Sequence, residues 1–346
     1  RSSHAPHPER ARPTSNDTYR PPVPSPTPQT PRLDPPSAIS RLAPMRGSPS
    51  IARLAGSHVA IPTPFLETEV AEDAFNQQIE RHAKEGTAGI VVAGSTGEAS
   101  TLSDAERIRL FQLAVGKAAG RLKVIAGVGT SDTRTTLRLA KAAVDAGVDA
   151  LMVVTPPYNR PSERGLDAHF AAVARVAPKT PIILYNVPTR TGCDISEELL
   201  LDLGDRFENI VAVKESTDRI ERVQRLSDAG FDVLCGEDGL LLEFLAAGAI
   251  GAISVVGNIA PKITAELVKN GSAAPKAARS RALSARLAQL AKALFLDTNP
   301  VPVKAALAME SRFPELVRMP LVGLDDNVRA ELEFALATFR AQTVGV

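Results

Sequence analysis

The sequence predicts an α/β fold: a (β/α)8 TIM barrel followed by a C-terminal helical subdomain. Three observations carry that expectation. Eight short apolar runs recur from residue 58 onward, rich in β-branched residues and without strict polar alternation, as parallel strands covered on both faces require. Longer amphipathic stretches separate them, several ending in glycine, the residue favoured just past a helix C-terminus. Eight such repeats within roughly 210 residues fit a closed barrel, with an open doubly wound sheet as the alternative.

Residues 1–50 differ in kind from the rest. They hold 13 of the chain's 27 prolines, including PPVPSPTPQTP, and few large apolar residues. Such a segment buries too little surface to offset its ordering entropy, so disorder is expected. Three origins fit it: a removable targeting sequence, a proline-rich ligand for a partner, and a translation start misassigned upstream of Met45. The proline content argues against an amphipathic transit helix, and the lack of an apolar core against a secretory signal.

The strand-forming runs follow in order: HVAIPTPF, GIVVAGST, KVIAGVG, ALMVVTPPY, PIILYNV, IVAVKEST, DVLCGED and GAISVVGN. Between them AEDAFNQQIERHAKEG, SDAERIRLFQLAVGKAAG, DTRTTLRLAKAAVDAG and RIERVQRLSDAG repeat apolar residues at helical spacing. Residues 55–272 are therefore assigned to the barrel. Residues 273–346 are assigned to the helical subdomain, because RALSARLAQLAKALF and RAELEFALATF keep helical spacing with no strand between them.

Composition narrows the function. Of 346 residues, 44% are hydrophobic and 23% charged, enough for a large core. With 40 basic against 39 acidic residues the net charge is +1, so the basic excess that nucleic-acid or membrane binding usually needs is missing. No uninterrupted apolar run approaches the roughly 18 residues of a membrane span. Cys193 and Cys235 have no further ligands at metal spacing; reduced thiols and a cytoplasmic location are expected, with a disulfide as the alternative. Among five histidines no pair stands at i, i+4, so no catalytic metal is expected.

In such barrels the reacting groups gather at the C-terminal ends of the strands. Here those ends carry Ser95 and Thr96, Tyr158 and Asn159, Tyr185 and Asn186, and Lys214 and Glu215. Tyr158 and Tyr185 are the only tyrosines after residue 50, and both fall at these ends. Lys214 closes the apolar run Ile210–Val213 and has two readings. In one it is half of a buried ion pair with Glu237 or Asp238. In the other it is a Schiff-base nucleophile, whose pKa burial lowers from about 10.4 toward roughly 7–8, freeing a neutral amine to attack a ketone. Tyr185, one strand away, then has the position to shuttle protons; otherwise it is a buried aromatic with one hydrogen bond. The GSTGE stretch, Gly94 to Glu98, reads as a strand-to-helix turn whose N–H groups bind a carboxylate, or simply as a turn and helix cap.

Four stretches together resemble one family: GSTGE, YNVPTRTG from Tyr185, VKEST from Val213 and NPVPVK from Asn299. They are similar to the pyruvate-dependent class I aldolases, the family of the dihydrodipicolinate synthases and N-acetylneuraminate lyases. The likeness runs from about His58 to the C-terminus. It implies a barrel with a helical extension, a homotetramer built from tight dimers, and no external cofactor. By the same likeness Lys214 forms an imine with pyruvate and Tyr185 gives and takes protons. Thr96 relays them between Tyr185 and a Tyr158 reaching in from a neighbouring subunit. The Ser95 and Thr96 backbone holds the pyruvate carboxylate, and the main chain near Gly236 and Ile253 lines the pocket.

Within the family, Arg190 implies the synthase branch, which joins pyruvate to L-aspartate 4-semialdehyde, because its fork suits a second carboxylate. The alternative for Arg190 is a surface pair with Asp194. Ser95 departs from the threonine usual in synthases and fits lyases or aldolases acting on 2-keto sugar acids, such as N-acetylneuraminate lyase or 2-keto-3-deoxygluconate aldolase. A catalytically silent barrel that binds partners through its proline-rich arm is a third reading. Asp104, Arg107, Thr135 and Pro157 stand where lysine-inhibited members carry other polar and aromatic groups, so weak or absent feedback by lysine is expected.

Overall fold

The computed structural model describes residues 54–342 and Arg1; the N-terminal segment expected to be disordered lies outside the described residues. Eight parallel strands close into a barrel: Gly56–Ala60, Gly89–Val92, Lys123–Gly127, Ala150–Val154, Ile182–Asn186, Ile210–Glu215, Asp232–Cys235 and Gly251–Ser254. The first strand seals the ring. His58 lies beside Gly89 of the second strand and Ile253 of the eighth.

Strand periodicity sorts the side chains into two layers. Val91, Ile125, Met152, Ile183, Ala212, Leu234 and Ile253 fill the barrel interior. Their neighbours Ile90, Val92, Leu151, Val153, Leu184, Val213 and Val233 pack outward with the helices. Both layers are buried, which is why the strands read as continuous apolar runs.

The helices Glu72–Lys84, Asp104–Ala118, Thr133–Ala146, Glu163–Val176, Glu197–Arg206, Ile220–Asp228 and Leu241–Ala246 connect the strands. Their starts follow local chemistry. Ser103 and Glu106 form a reciprocal capping box, Asp132 accepts from the N–H groups of Arg134 and Thr135, and Ser196 accepts from Leu199. Four helices follow the last strand: Pro261–Ala273, Ala278–Leu294, Val301–Glu310 and Asp326–Ala341.

Two local features differ from the sequence expectation. The first strand does not extend through HVAIPTPF but stops at Ala60, and Phe65–Leu66 pairs instead with Glu69–Val70 in a small antiparallel hairpin. Pro62 and Pro64 have no N–H to donate, so the parallel ladder cannot continue through them. The sixth strand carries a bulge. Ile182 pairs with Ile210 but Ile183 with Ala212, leaving Val211 as an extra residue. The two cysteines are free and buried. Among the described residues no helix is long and apolar enough to cross a membrane.

Candidate active site

The bulge at Val211 sets the register that matters most. Beyond it Tyr185 pairs with Lys214 and Asn186 with Glu215, so Tyr185 and Lys214 share the interior face while Asn186 and Glu215 share the opposite one. The Lys214 Nζ stands 4.2 Å from the centre of the Tyr185 ring. Both side chains are buried, at 6% and 5% exposure. Burial works to raise the Tyr185 pKa, but the Lys214 charge, a Ser216 hydrogen bond and the Arg190 charge together bring it below the ordinary phenol value.

Neither carboxylate considered as a partner for Lys214 takes that role. Asp238 accepts from the backbone N–H groups of Val255 and Val256 at 2.7 and 2.9 Å. Among the described residues Glu237 forms no ion pair with Lys214, and burial with the neighbouring Asp238 raises its pKa against the Lys214 charge. On the outer face Glu215 is consumed by Arg222 at 2.9 Å and by Asn186. Gly236 leaves the space that Lys214 occupies: a Cβ there would lie 2.1 Å from Ser216 Oγ and 2.8 Å from Lys214 Cε.

A cavity of about 250 Å³ opens above this pair, lined by Ser95, Thr96, Tyr185, Arg190, Lys214, Ser216, Gly236, Glu237, Val255, Phe295 and Asn299 among others. Ile253 lies within the barrel interior; Val255, two residues on, is the lining residue of that segment. An adjoining cavity of about 540 Å³ shares Ser95, Tyr185, Arg190 and Asn299 and extends to Asp104, Arg107, Thr135 and Pro157. Arg107 is buried there, donating to the Gly127 carbonyl at 2.6 Å, and burial lowers its pKa to about 10.

The GSTGE turn is not the start of an α-helix. A short 3-10 turn, Ala99–Thr101, follows it, and the helix begins only at Asp104. Glu98 precedes that turn without a side-chain capping bond; it sits in left-handed backbone at φ 54° and is buried. Its carboxylate accepts from Lys304 Nζ at 2.5 Å and from the Arg318 N–H at 2.9 Å. Thr63 holds the same turn from the first strand's loop, donating to the Gly97 carbonyl at 2.7 Å. Thr96 is buried and accepts from Asn299 Nδ2 at 2.9 Å.

Arg190 sits on the short helix Pro188–Thr191. Its expected surface partner is already taken: Asp194 pairs with Arg219 at 2.7 Å. Arg190 donates instead to the Asn299 carbonyl at 3.4 Å and lines both cavities. Tyr158 is the one expected proton-transfer residue that the single chain does not bring to this group. It is 93% exposed, in left-handed backbone at φ 71°, on a turn pinned by the bond from Asn159 to the Ser131 carbonyl.

Sequence reasoning missed the parts that Ser216, Phe295, Glu98, Lys304 and the Asn299 side chain play here. The NPVPVK stretch signalled a resemblance, but nothing local tied residue 299 or 304 to a turn some 200 positions earlier.

The Dihydrodipicolinate synthetase family model matches residues 53–338. A 4-hydroxy-tetrahydrodipicolinate synthase of Chlorobium phaeovibrioides is 39% identical over 288 residues, covering 82% of this chain and 97% of that protein. The crystal structure of dihydrodipicolinate synthase from Aquifex aeolicus superposes with a TM-score of 0.81 at 39% identity, covering 83% of this chain and 98% of that one. A chloride-inhibited dihydrodipicolinate synthase from Acinetobacter baumannii, solved with pyruvate, superposes with a TM-score of 0.80 at 38% identity, covering 83% and 99%. With a barrel of this topology, strand-end chemistry in this order and a family match over most of its length, the chain belongs to the dihydrodipicolinate synthetase family.

Proposed function

We propose that the protein condenses pyruvate with L-aspartate 4-semialdehyde, as a Schiff-base lyase of diaminopimelate and lysine biosynthesis. One observation carries the reading: Lys214 and Tyr185 stand side by side in register, buried, with the amine 4.2 Å from the ring centre and an open cavity above. A lysine so placed has chemical rather than structural company.

In this reading the Lys214 amine attacks the pyruvate ketone. The carbinolamine loses water, its departing hydroxyl protonated by Tyr185, and an imine remains. Loss of a methyl proton gives the enamine, whose carbon attacks the aldehyde of the second substrate. The amine of that substrate then displaces Lys214 from the imine carbon, which closes the ring and frees the enzyme. The backbone of Ser95 and Thr96 takes the pyruvate carboxylate, and Arg190 takes that of the aldehyde. The main chain around Gly236 and Val255 completes the pocket wall. Thr96 passes protons between Tyr185 and Tyr158. The exposure of Tyr158 supports its supply by a neighbouring copy, hence a homo-oligomer, dimer or tetramer. We assign residues 55–272 to the barrel, 273–346 to the helical subdomain, and the protein to the cytoplasm.

Ser95 favours a second reading, an aldolase for a 2-keto sugar acid. The initial rate of pyruvate consumption with L-aspartate 4-semialdehyde separates the two. A saturable rate is expected. No rate, with pyruvate still trapped on the protein by borohydride, would move the assignment to the sugar-acid reaction, and no trapping at all would overturn imine chemistry.

A further inference from the structure

We infer that Asn299, brought back to the site by the C-terminal helical segment, is a positioning residue that gives the Thr96 hydroxyl one direction in proton transfer. The inference rests on the relay proposed above. A threonine hydroxyl has one proton to give and two lone pairs to receive. Asn299 Nδ2 donates to Thr96 Oγ1 at 2.9 Å and so fills one lone pair. A single O–H remains to donate, and a single lone pair to accept. A hydroxyl with one way in and one way out hands a proton on without first rotating.

Three further features fit that role. The amide is buried, yet among the described residues its Oδ1 meets no hydrogen-bond donor; a residue kept only for packing has no reason to bury an unpaired carbonyl. The Asn299 main-chain carbonyl accepts from Arg190, so one residue touches both the relay and the guanidinium assigned to the aldehyde. The segment is also bolted to the same turn a second time, by Lys304 on Glu98. That second bond fixes where the Asn299 amide stands relative to Thr96.

The proton count balances. When Tyr185 gives its phenolic proton to the departing hydroxyl of the carbinolamine, water leaves and the Thr96 O–H replaces the proton on the phenol oxygen. Thr96 takes a proton in turn through its remaining lone pair from the next group of the relay. Asn299 gives up no proton; it only occupies the third site of the hydroxyl.

The test is a double-mutant cycle of Asn299→Asp and Thr96→Val in the full chain. It is read by the rate of deuterium exchange into the pyruvate methyl group, which needs no second substrate. Asn299→Asp keeps the size of the side chain and removes the N–H. The expected result is about a 10²-fold slower exchange, with borohydride trapping reaching the same final stoichiometry and half-saturation by pyruvate unchanged. In the Thr96→Val background the same substitution should then cost nothing more. Wild-type exchange in Asn299→Asp would overturn the inference, and so would an equal loss with and without the Thr96 hydroxyl. If the wild-type enzyme exchanged the methyl protons but never consumed L-aspartate 4-semialdehyde, the substrate reading would fall while this inference stood.

Discussion

Two buried lysines in this chain have opposite surroundings. Lys304 is fully buried, stands 4.2 Å from the Phe65 ring centre, and is closed in by Glu98 at 2.5 Å and the Leu316 carbonyl at 2.6 Å. Lys214 stands at the same distance from a ring, that of Tyr185, but among the described residues no carboxylate pairs with it. Burial lowers the Lys304 pKa to about 8 against the pull of Glu98, and a depressed pKa alone would nominate it as a nucleophile. Yet it lines neither cavity at the site. Company and access, rather than burial, separate the lysine that holds the fold from the one proposed as the nucleophile.

The sharpest way to break the comparison is to remove each amine. Lys214→Ala should cut turnover on the order of 10⁶-fold, as loss of a covalent nucleophile does elsewhere, and leave the melting temperature no lower. Lys304→Met should do the reverse. It strands Glu98 as a buried, unpaired charge, and a loss of about 3–5 kcal/mol in denaturant unfolding is expected. If Lys304→Met melted like the parent protein, the ion pair would not be structural.

Arg190 sharpens the same contrast, being a cation whose expected surface partner, Asp194, is already held by Arg219. Arg190→Leu should raise the KM for the aldehyde about 10- to 100-fold, the worth of charged hydrogen bonds, with pyruvate trapping unaffected. Wild-type kinetics in that variant would remove Arg190 from the substrate site.

The histidines of the described region test burial without chemistry. Burial lowers the pKa of His82 to about 3, that of His169 to about 4, and that of His58 as well. Unfolded, each takes a proton below about 6.5; folded, each stays neutral until the lower value. Their contribution to stability is therefore complete above pH 6.5 and is lost as pH falls, by about 1.5 kcal/mol each for His82 and His169 between pH 6.5 and 5, with His58 acting in the same direction. Urea midpoints at pH 7 and pH 5 check this, and equal midpoints would contradict it. The smallest effect is expected for added lysine. The Arg107 cation lines the adjoining cavity with the same sign as a lysine ammonium, so kinetic inhibition should stay well below the roughly 5-fold coupling common among allosteric pairs.

Much of the barrel was legible because covered strands leave runs such as GIVVAG and PIILYN, and helix starts leave residues such as Ser103 and Asp132. The position of Lys214 was legible because lysine is out of place at the end of such a run. The bulge at Val211 was not, since valine fits a regular strand equally well, yet it decides that Lys214 faces Tyr185. The end of the first strand was misjudged because apolar character continued through HVAIPTPF while the prolines stopped the ladder. The bonds from Asn299 to Thr96 and from Lys304 to Glu98 join residues more than 200 positions apart, and no periodicity reports such a contact.

The most direct test is to incubate the protein with pyruvate and borohydride and map the reduced adduct by mass spectrometry. The account predicts one adduct per chain, on the peptide containing Lys214, with Lys304 unmodified. An adduct on Lys304, or none on Lys214, would contradict it.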